Sequence, residues 1–466
     1  MQVVKTDKGY ISGAVIGDPG REVSIFRGIP YAAPPVGPLR WKPPQPSASW
    51  DGIRECTQFS GISPQNNQDP TIAKLARTED CLYLNVLTPA KNPGDKLPVM
   101  VWMHGGAYFA GCGNDPIWNL HRLPQQGVVL VTVNHRLGPI GLVAHPEISK
   151  ESPNGVSGNY LFLDLIASLK WIQNNIAAFG GDPKNVTIFG ESGGGAKVAM
   201  MMVSPLAKGL FHKAICESGT AEGVSPGKPL SVMENYGVKL FEKLGVKTLQ
   251  EARNVPWEKI IAADQVMDTS PGPSKAFPLP IWDSAIDGWV LKESPMKLFE
   301  DGVINPVPLI VCANHGEIVG PNPFEIPFLI QSYRKMLEAV TKNGAPGYAA
   351  LFNRVPAHWR QAGVVAFHAI ELPYIFGDWD NSTGWWDVIS HSMQFGSAKT
   401  KDVILDADDK HVSEIMGGLW TSFAKNAKPK AKGVADWPAY SKTGDNYLYI
   451  SEKPVVKTGY SKLPKE

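Results

Sequence analysis

The chain has 466 residues, 43% hydrophobic and 19% charged, with a net charge of +1. That much apolar material supports a substantial core, arranged as a few average domains or as one large α/β domain with insertions. The near-zero charge and the lack of any charge run argue against a nucleic-acid partner, and no apolar stretch approaches the ~18 residues a membrane helix needs.

Residues 1–60 read as antiparallel strands and proline-rich turns: Val23-Ser-Ile-Phe26 leads into Arg27-Gly-Ile-Pro-Tyr-Ala-Ala-Pro-Pro-Val-Gly-Pro-Leu-Arg-Trp41, too rich in Pro and Gly for a helix. The first ten residues lack the apolar core of a signal peptide, so a cytoplasmic protein is expected, or a secreted one whose leader has been removed. Glu79-Asp-Cys-Leu-Tyr-Leu-Asn-Val-Leu87 is an apolar strand with acids at its start, and a buried pair of Arg27 with Glu79 is expected for structure rather than catalysis. The five cysteines, Cys56, Cys81, Cys112, Cys216 and Cys312, are scattered and contain no C-x-x-C pair, which argues against a disulfide framework or a zinc site.

Leu97-Pro-Val-Met-Val-Trp-Met103 is an unbroken apolar run, as a strand covered on both faces should be, and it ends in His104-Gly-Gly-Ala-Tyr-Phe-Ala-Gly111. Glycines straight after a buried strand let backbone N–H groups approach a bound atom closely. Val128–Val133 is the next buried strand. Leu161–Ala178 carries helical spacing and stops at Gly180-Gly-Asp-Pro183. Then comes Val186–Phe189, β-branched and aromatic, followed by Gly190-Glu-Ser-Gly-Gly194 and the helix formers Ala196–Val203. A G-x-S-x-G pattern alone is weak, and a Gly-rich turn with a solvated serine would read the same. Between strand and helix, however, it is where a serine is forced onto a sharp turn with its hydroxyl exposed, beside helix N–H groups that favour an oxyanion. Ser192 is therefore the candidate nucleophile, and the N–H groups of Gly106, Ala107 and Gly193 are the candidate oxyanion donors.

Ala214–Cys216 is another short strand, 230–300 reads as helices with proline-rich joints (Pro271, Pro273, Pro278, Pro280), and Val307–Cys312 resumes the buried-strand pattern. Helices follow at Phe328–Val340 and about Val412–Asn426, with a last strand at Asn446–Ile450. Strands alternating with helices imply a mostly parallel central sheet flanked by helices, with the N-terminal antiparallel strands at its margin. One α/β domain over 1–466 is expected, with helical cap insertions around 225–300 and 318–360.

A serine needs a base, and the base an orienting acid. On an elbow of this type the order is Ser, acid, His. Among His212, His315, His358, His368, His391 and His411, the one just before the unusual Glu371-Leu-Pro-Tyr374 segment is His368, the candidate base. Glu317, just past a buried strand, is the candidate acid, with Glu217, Asp283 and Asp287 as competitors.

These residues, with Gly158-Asn-Tyr, Phe179-Gly-Gly-Asp-Pro, His368-Ala-Ile-Glu-Leu-Pro-Tyr and Trp437-Pro-Ala-Tyr440, run in order along nearly the whole chain. The chain resembles the type-B carboxylesterases, the α/β-hydrolase group that includes the cholinesterases. The resemblance implies an α/β-hydrolase fold and a serine carboxylesterase with Ser192, Glu317 and His368 as triad and Gly106, Ala107 and Gly193 as oxyanion hole. It also implies buried ion pairs Arg27–Glu79 and Arg136–Asp164, small-molecule ester substrates, and no metal or organic cofactor. A catalytically silent binding or adhesion protein, or a hydrolase of amides or lactones, is the alternative. Oligomeric state stays open between monomer and homodimer. Ser63 stands where the family's loop cysteine would pair with Cys81, which favours a reducing compartment. Cys312, Ala313 and Gly316 replace the usual residues around the acid. The segment from Glu317 to His368 is short for the family, so a more open pocket accepting bulkier esters is expected. The sequon Asn381-Ser-Thr383 is read as incidental.

Overall fold

A computed structural model describes residues 3–66, 72, 74–114, 121–222, 226–267, 282–317, 326–392 and 403–463. The expected prolines at 271, 273, 278 and 280 lie outside them, as do 318–325. The long apolar runs do form the middle of one sheet, because a strand covered by helices on both faces can carry apolar side chains in both directions. Val99, Met100, Val101, Val129, Val131, Val186, Ile188, Ile310 and Val311 are all fully buried.

Among the described residues the main sheet has eleven strands. From one edge to the other they are Val455–Thr458, Asn446–Ile450, Gly347–Phe352, Leu309–Asn314, Lys213–Glu217, Gly181–Glu191, Leu97–Trp102, Val129–Val133, Tyr83–Thr88, Val23–Pro30 and Ala14–Ile16. Neighbours from Asn446–Ile450 through Val129–Val133 pair in parallel, and the margins pair antiparallel. The sheet is thus mostly parallel, with antiparallel N-terminal strands at one side.

Gly347–Phe352 falls inside the 318–360 stretch expected as a cap insertion, yet it is a fully buried strand paired on both sides. Its Gly-Tyr-Ala-Ala-Leu-Phe sequence carries little strand preference, and its position between two apolar neighbours decides. The 225–300 stretch does hold helices, at Leu230–Leu244, Leu249–Arg253, Trp257–Met267 and Pro295–Asp301. The late helix begins at Ala407 rather than Val412, because Asp406 caps it: its carboxylate accepts from the N–H groups of Asp408 and Asp409, and Asp409 returns a bond to Asp406.

The parallel core matters for function because the loops after its strands all leave from one edge of the sheet, where ligands bind in such folds. Gly105 and Gly106 follow Leu97–Trp102, Ser192 follows Gly181–Glu191, and Glu317 follows Leu309–Asn314.

Candidate active site

Ser192 is the hinge between strand and helix, and its backbone is strained there, with φ 57° and ψ −123°. A non-glycine residue holds such a conformation only where its surroundings over-determine it. The surroundings do so: Ser192 N–H donates to the Glu217 carbonyl at 2.7 Å, and the Ser192 carbonyl accepts from Ala196 N–H at 3.1 Å. The flanking glycines permit the turn. A Cβ on Gly190 would lie 2.5 Å from the Met103 oxygen, and one on Gly194 only 2.0 Å from it. The helix Gly193–Val203 starts at the next residue, so the positive end of its dipole lies beside the turn.

His368 lies in the loop beyond Gly347–Phe352, buried, with its own N–H bonded to the Glu317 carbonyl at 3.2 Å. Its Nδ1 is 2.7 Å from Glu317 Oε2. Its Nε2 is 3.1 Å from Oε1 of Glu191, the residue before Ser192. Glu317 also accepts from Ser218 Oγ at 2.8 Å and from Asn314 N–H at 2.6 Å. Glu317 and His368 thus meet beside Glu191, the residue before Ser192. Burial pulls the His368 imidazolium pKa down, but Glu191 and Glu317 outweigh it, and the net shift is upward, to about 9. Burial pushes the Glu191 carboxyl up.

The competitors for the acid are occupied elsewhere. Glu217 is buried beneath the elbow, accepts from Trp420 Nε1 at 2.7 Å, and is pushed up to about 8 by burial. Asp287 accepts from the N–H groups of Trp289, Val290 and Leu291 and closes a turn. Asp283 accepts from the N–H of its neighbour Ser284. Of the other histidines, His212 Nδ1 accepts from Val186 N–H, away from the elbow.

The Gly-Gly loop reaches over the start of the serine helix. Gly106 and Ala107 both have positive φ, 78° and 51°. Among the described residues, no backbone bond takes up the N–H of Gly106, Ala107 or Gly193. Gly193 sits so close that a Cβ on it would be 2.6 Å from Ala107 N. Three unspent donors therefore gather beside one strained serine.

A model of the carboxylesterase family matches residues 1–327 and 324–465. The chain belongs to that family. It is 34% identical to the fumonisin B1 esterase of Sphingopyxis macrogoltabida, over 95% of this chain and 86% of the relative. With the para-nitrobenzyl esterase of Bacillus subtilis (strain 168) it shares 32% identity, over 98% and 96% of the two chains. A solved PNB esterase superposes with a TM-score of 0.81 at 29% identity, covering 98% of this chain and 97% of the other. This carboxylesterase has the α/β-hydrolase fold and is a carboxylic ester hydrolase acting on small-molecule esters. Among the described residues no helix is long and apolar enough to cross a membrane.

One expected ion pair needs correction. Glu79 pairs with Arg40, not Arg27: Arg40 Nε and Nη2 reach the two carboxylate oxygens at 2.6 and 2.5 Å, and Nη1 bonds the carbonyls of Ala252 and Val255. Arg27 instead bonds the Thr57 carbonyl and lies over the Phe59 ring. Both arginines flank the same proline-rich turn, and only the folded path of that turn decides which one reaches Glu79. Arg136–Asp164 is present as expected, fully buried, at 2.7 and 2.8 Å. All five cysteines are buried in this carboxylesterase and none is in a disulfide among the described residues. Glu191, Ser218 and Asn314 were not singled out from sequence. Glu191 had a signal, as the x of G-x-S-x-G; the other two had none.

Proposed function

We propose that this carboxylesterase cleaves esters through an acyl-enzyme, with Ser192 as nucleophile, His368 as base and Glu317 as the acid that orients it. His368 takes the Ser192 proton as Oγ bonds to the ester carbonyl carbon. The carbonyl oxygen becomes negative and is stabilised by the N–H groups of Gly106, Ala107 and Gly193. The intermediate collapses, the carbon–alkoxy bond breaks, and His368 gives its proton to the leaving alcohol. Water then repeats the sequence on the acyl-serine and releases the acid. The observation that carries the reading is the His368–Glu317 bond at 2.7 Å, with the opposite nitrogen of His368 3.1 Å from Oε1 of Glu191, the residue before the strained Ser192.

For the substrate we propose bulky esters in an open pocket. The trimmed segment between Glu317 and His368 supports this, as do relatives named for fumonisin B1 and para-nitrobenzyl esters. We also place the protein in the cytoplasm: Cys81 faces Ser63 rather than a second cysteine, which suits a reducing compartment. Cell fractionation with detection of the native protein tests this, and recovery from the medium or periplasm would overturn it.

The decisive experiment is hydrolysis of p-nitrophenyl acetate, butyrate and octanoate by the wild type and Ser192→Ala. Activity that vanishes in the variant is expected, with butyrate or octanoate at least as good as acetate. A Ser192→Ala protein that stays active would refute the nucleophile. A steep preference for acetate would refute the open pocket.

A further inference from the structure

Lys197 lies in the helix behind Ser192, within the otherwise apolar run Ala196-Lys-Val-Ala-Met-Met-Met-Val203, and is completely buried. No carboxylate pairs with it among the described residues. Its Nζ donates to the His104 carbonyl at 2.8 Å and to the Gly105 carbonyl at 3.4 Å, and its other contact is the Tyr108 ring at 5.9 Å. Burying an amine without a counter-ion is unfavourable, so a side chain kept there needs a purpose in what it touches. Among the described residues, its hydrogen bonds all go to the Gly-Gly loop.

We infer that Lys197 is a positioning residue for ester hydrolysis: its Nζ clamps the His104 and Gly105 carbonyls, and so aims and polarises the oxyanion donors of the loop. The inference rests on the oxyanion reading proposed above. Two features of geometry support it. First, Gly193 and Lys197 are four residues apart on one helix and so share a face. Gly193 meets the loop at Ala107, and Lys197 grips it at His104 and Gly105, so one rigid helix carries nucleophile, donor and clamp. Second, the Gly105 carbonyl and the Gly106 N–H belong to the same peptide group. A hydrogen bond drawn to that oxygen makes the N–H a stronger donor. His104 Nδ1, 2.9 Å from the same carbonyl, adds to the pull in the tautomer that carries its proton there. The loop needs holding, because the positive φ of Ala107 is unfavourable for a residue with a Cβ.

Lys197→Met keeps the stem and removes the donor. In the full chain, kcat for p-nitrophenyl butyrate is expected to fall about 30-fold or more, a little short of the ~10²–10³ for deleting an oxyanion donor outright. KM should stay within about threefold, and the pH at which the acid limb falls should not move. Affinity for an aryl trifluoromethyl ketone, whose serine adduct carries the oxyanion, should drop by the same factor as kcat/KM. A merely structural lysine would not couple those two numbers. Should the Met variant fail to fold, Lys197→Gln, which still donates, is expected to show a smaller fall with the same coupling. Activity within about threefold of wild type, or a fall in kcat with unchanged ketone affinity, overturns the clamp. Ser192→Ala run in parallel separates the failures: if it is inactive while Lys197→Met is normal, only the clamp is wrong, and if it is active the underlying reading is wrong.

Discussion

Glu191→Gln should move the acid limb of kcat/KM to lower pH. The carboxylate stands 3.1 Å from His368 Nε2, and both side chains are almost wholly buried. Two unit charges at that distance interact by about 5 kcal/mol at an effective dielectric of about 20. That is an upper bound, because burial pushes the Glu191 carboxyl up and leaves it partly protonated near neutrality. Opposite charges at such range commonly move a pKa by about 1 to 3, and we expect about 1 to 2 here. The sign follows from which form the carboxylate favours. It stabilises the imidazolium, raises the His368 pKa and delays the appearance of the free base until higher pH. The neutral glutamine keeps the shape and loses that effect, so the base form appears earlier. Initial rates with p-nitrophenyl butyrate across pH 5 to 10, at substrate well below KM, report the limb independently of the plateau height. A limb that stays in place, or moves up, would refute the electrostatic account of this pair.

Three further outcomes can be checked. Glu317→Gln should lower kcat by about 10²-fold or more through loss of His368 orientation, whereas Glu217→Gln, whose partner is Trp420, should stay within about tenfold; equal losses in steady-state kinetics would contradict the assignment of the acid. Arg136→Met should destabilise by about 3–5 kcal/mol in urea unfolding, since it leaves Asp164 buried and unpaired, and the double change with Asp164→Leu should recover most of it. A single variant within about 1 kcal/mol of wild type would count against that. Arg40→Met should cost about 3 kcal/mol or more and Arg27→Met clearly less, because Arg40 carries the buried pair to Glu79 and Arg27 is only half-buried; thermal unfolding of both would expose a reversed order.

What could be read from sequence was what depends on neighbours along the chain. An apolar run followed by glycines marks a buried strand and a sharp turn whatever the fold, so the strands around Ser192 and the Gly-Gly loop were legible. The same holds for helix Ile326–Lys342, whose buried Leu329, Ile330, Tyr333, Met336, Leu337 and Val340 recur at helical spacing. The partner of Glu79 was not legible, because Arg27 and Arg40 look alike in a proline-rich stretch. Nor was Lys197, which in sequence resembles a solvated helix lysine. Its burial comes from the loop that folds over the helix.

The grouping of the glutamates arises from sheet register and from the loops beyond it, and it supports Glu317 as the proposed acid. Glu191 and Glu217 are register partners on adjacent parallel strands, and Cys312 is the next partner across. Glu371 joins them from the His368 loop through Asn314 Nδ2 at 2.5 Å. Burial pushes Glu191, Glu217 and Glu371 up. Among the described residues, Glu191, Glu217 and Glu371 each keep one oxygen without a hydrogen-bond partner. Glu317 alone receives Ser218 Oγ, Asn314 N–H and the His368 ring on its two oxygens. Three donors thus satisfy both oxygens of the buried Glu317 side chain. Hydrogen-bond supply thus favours Glu317 as the proposed acid alongside its contact with His368, and it does so through Ser218 and Asn314, two residues whose types say nothing of the kind by themselves.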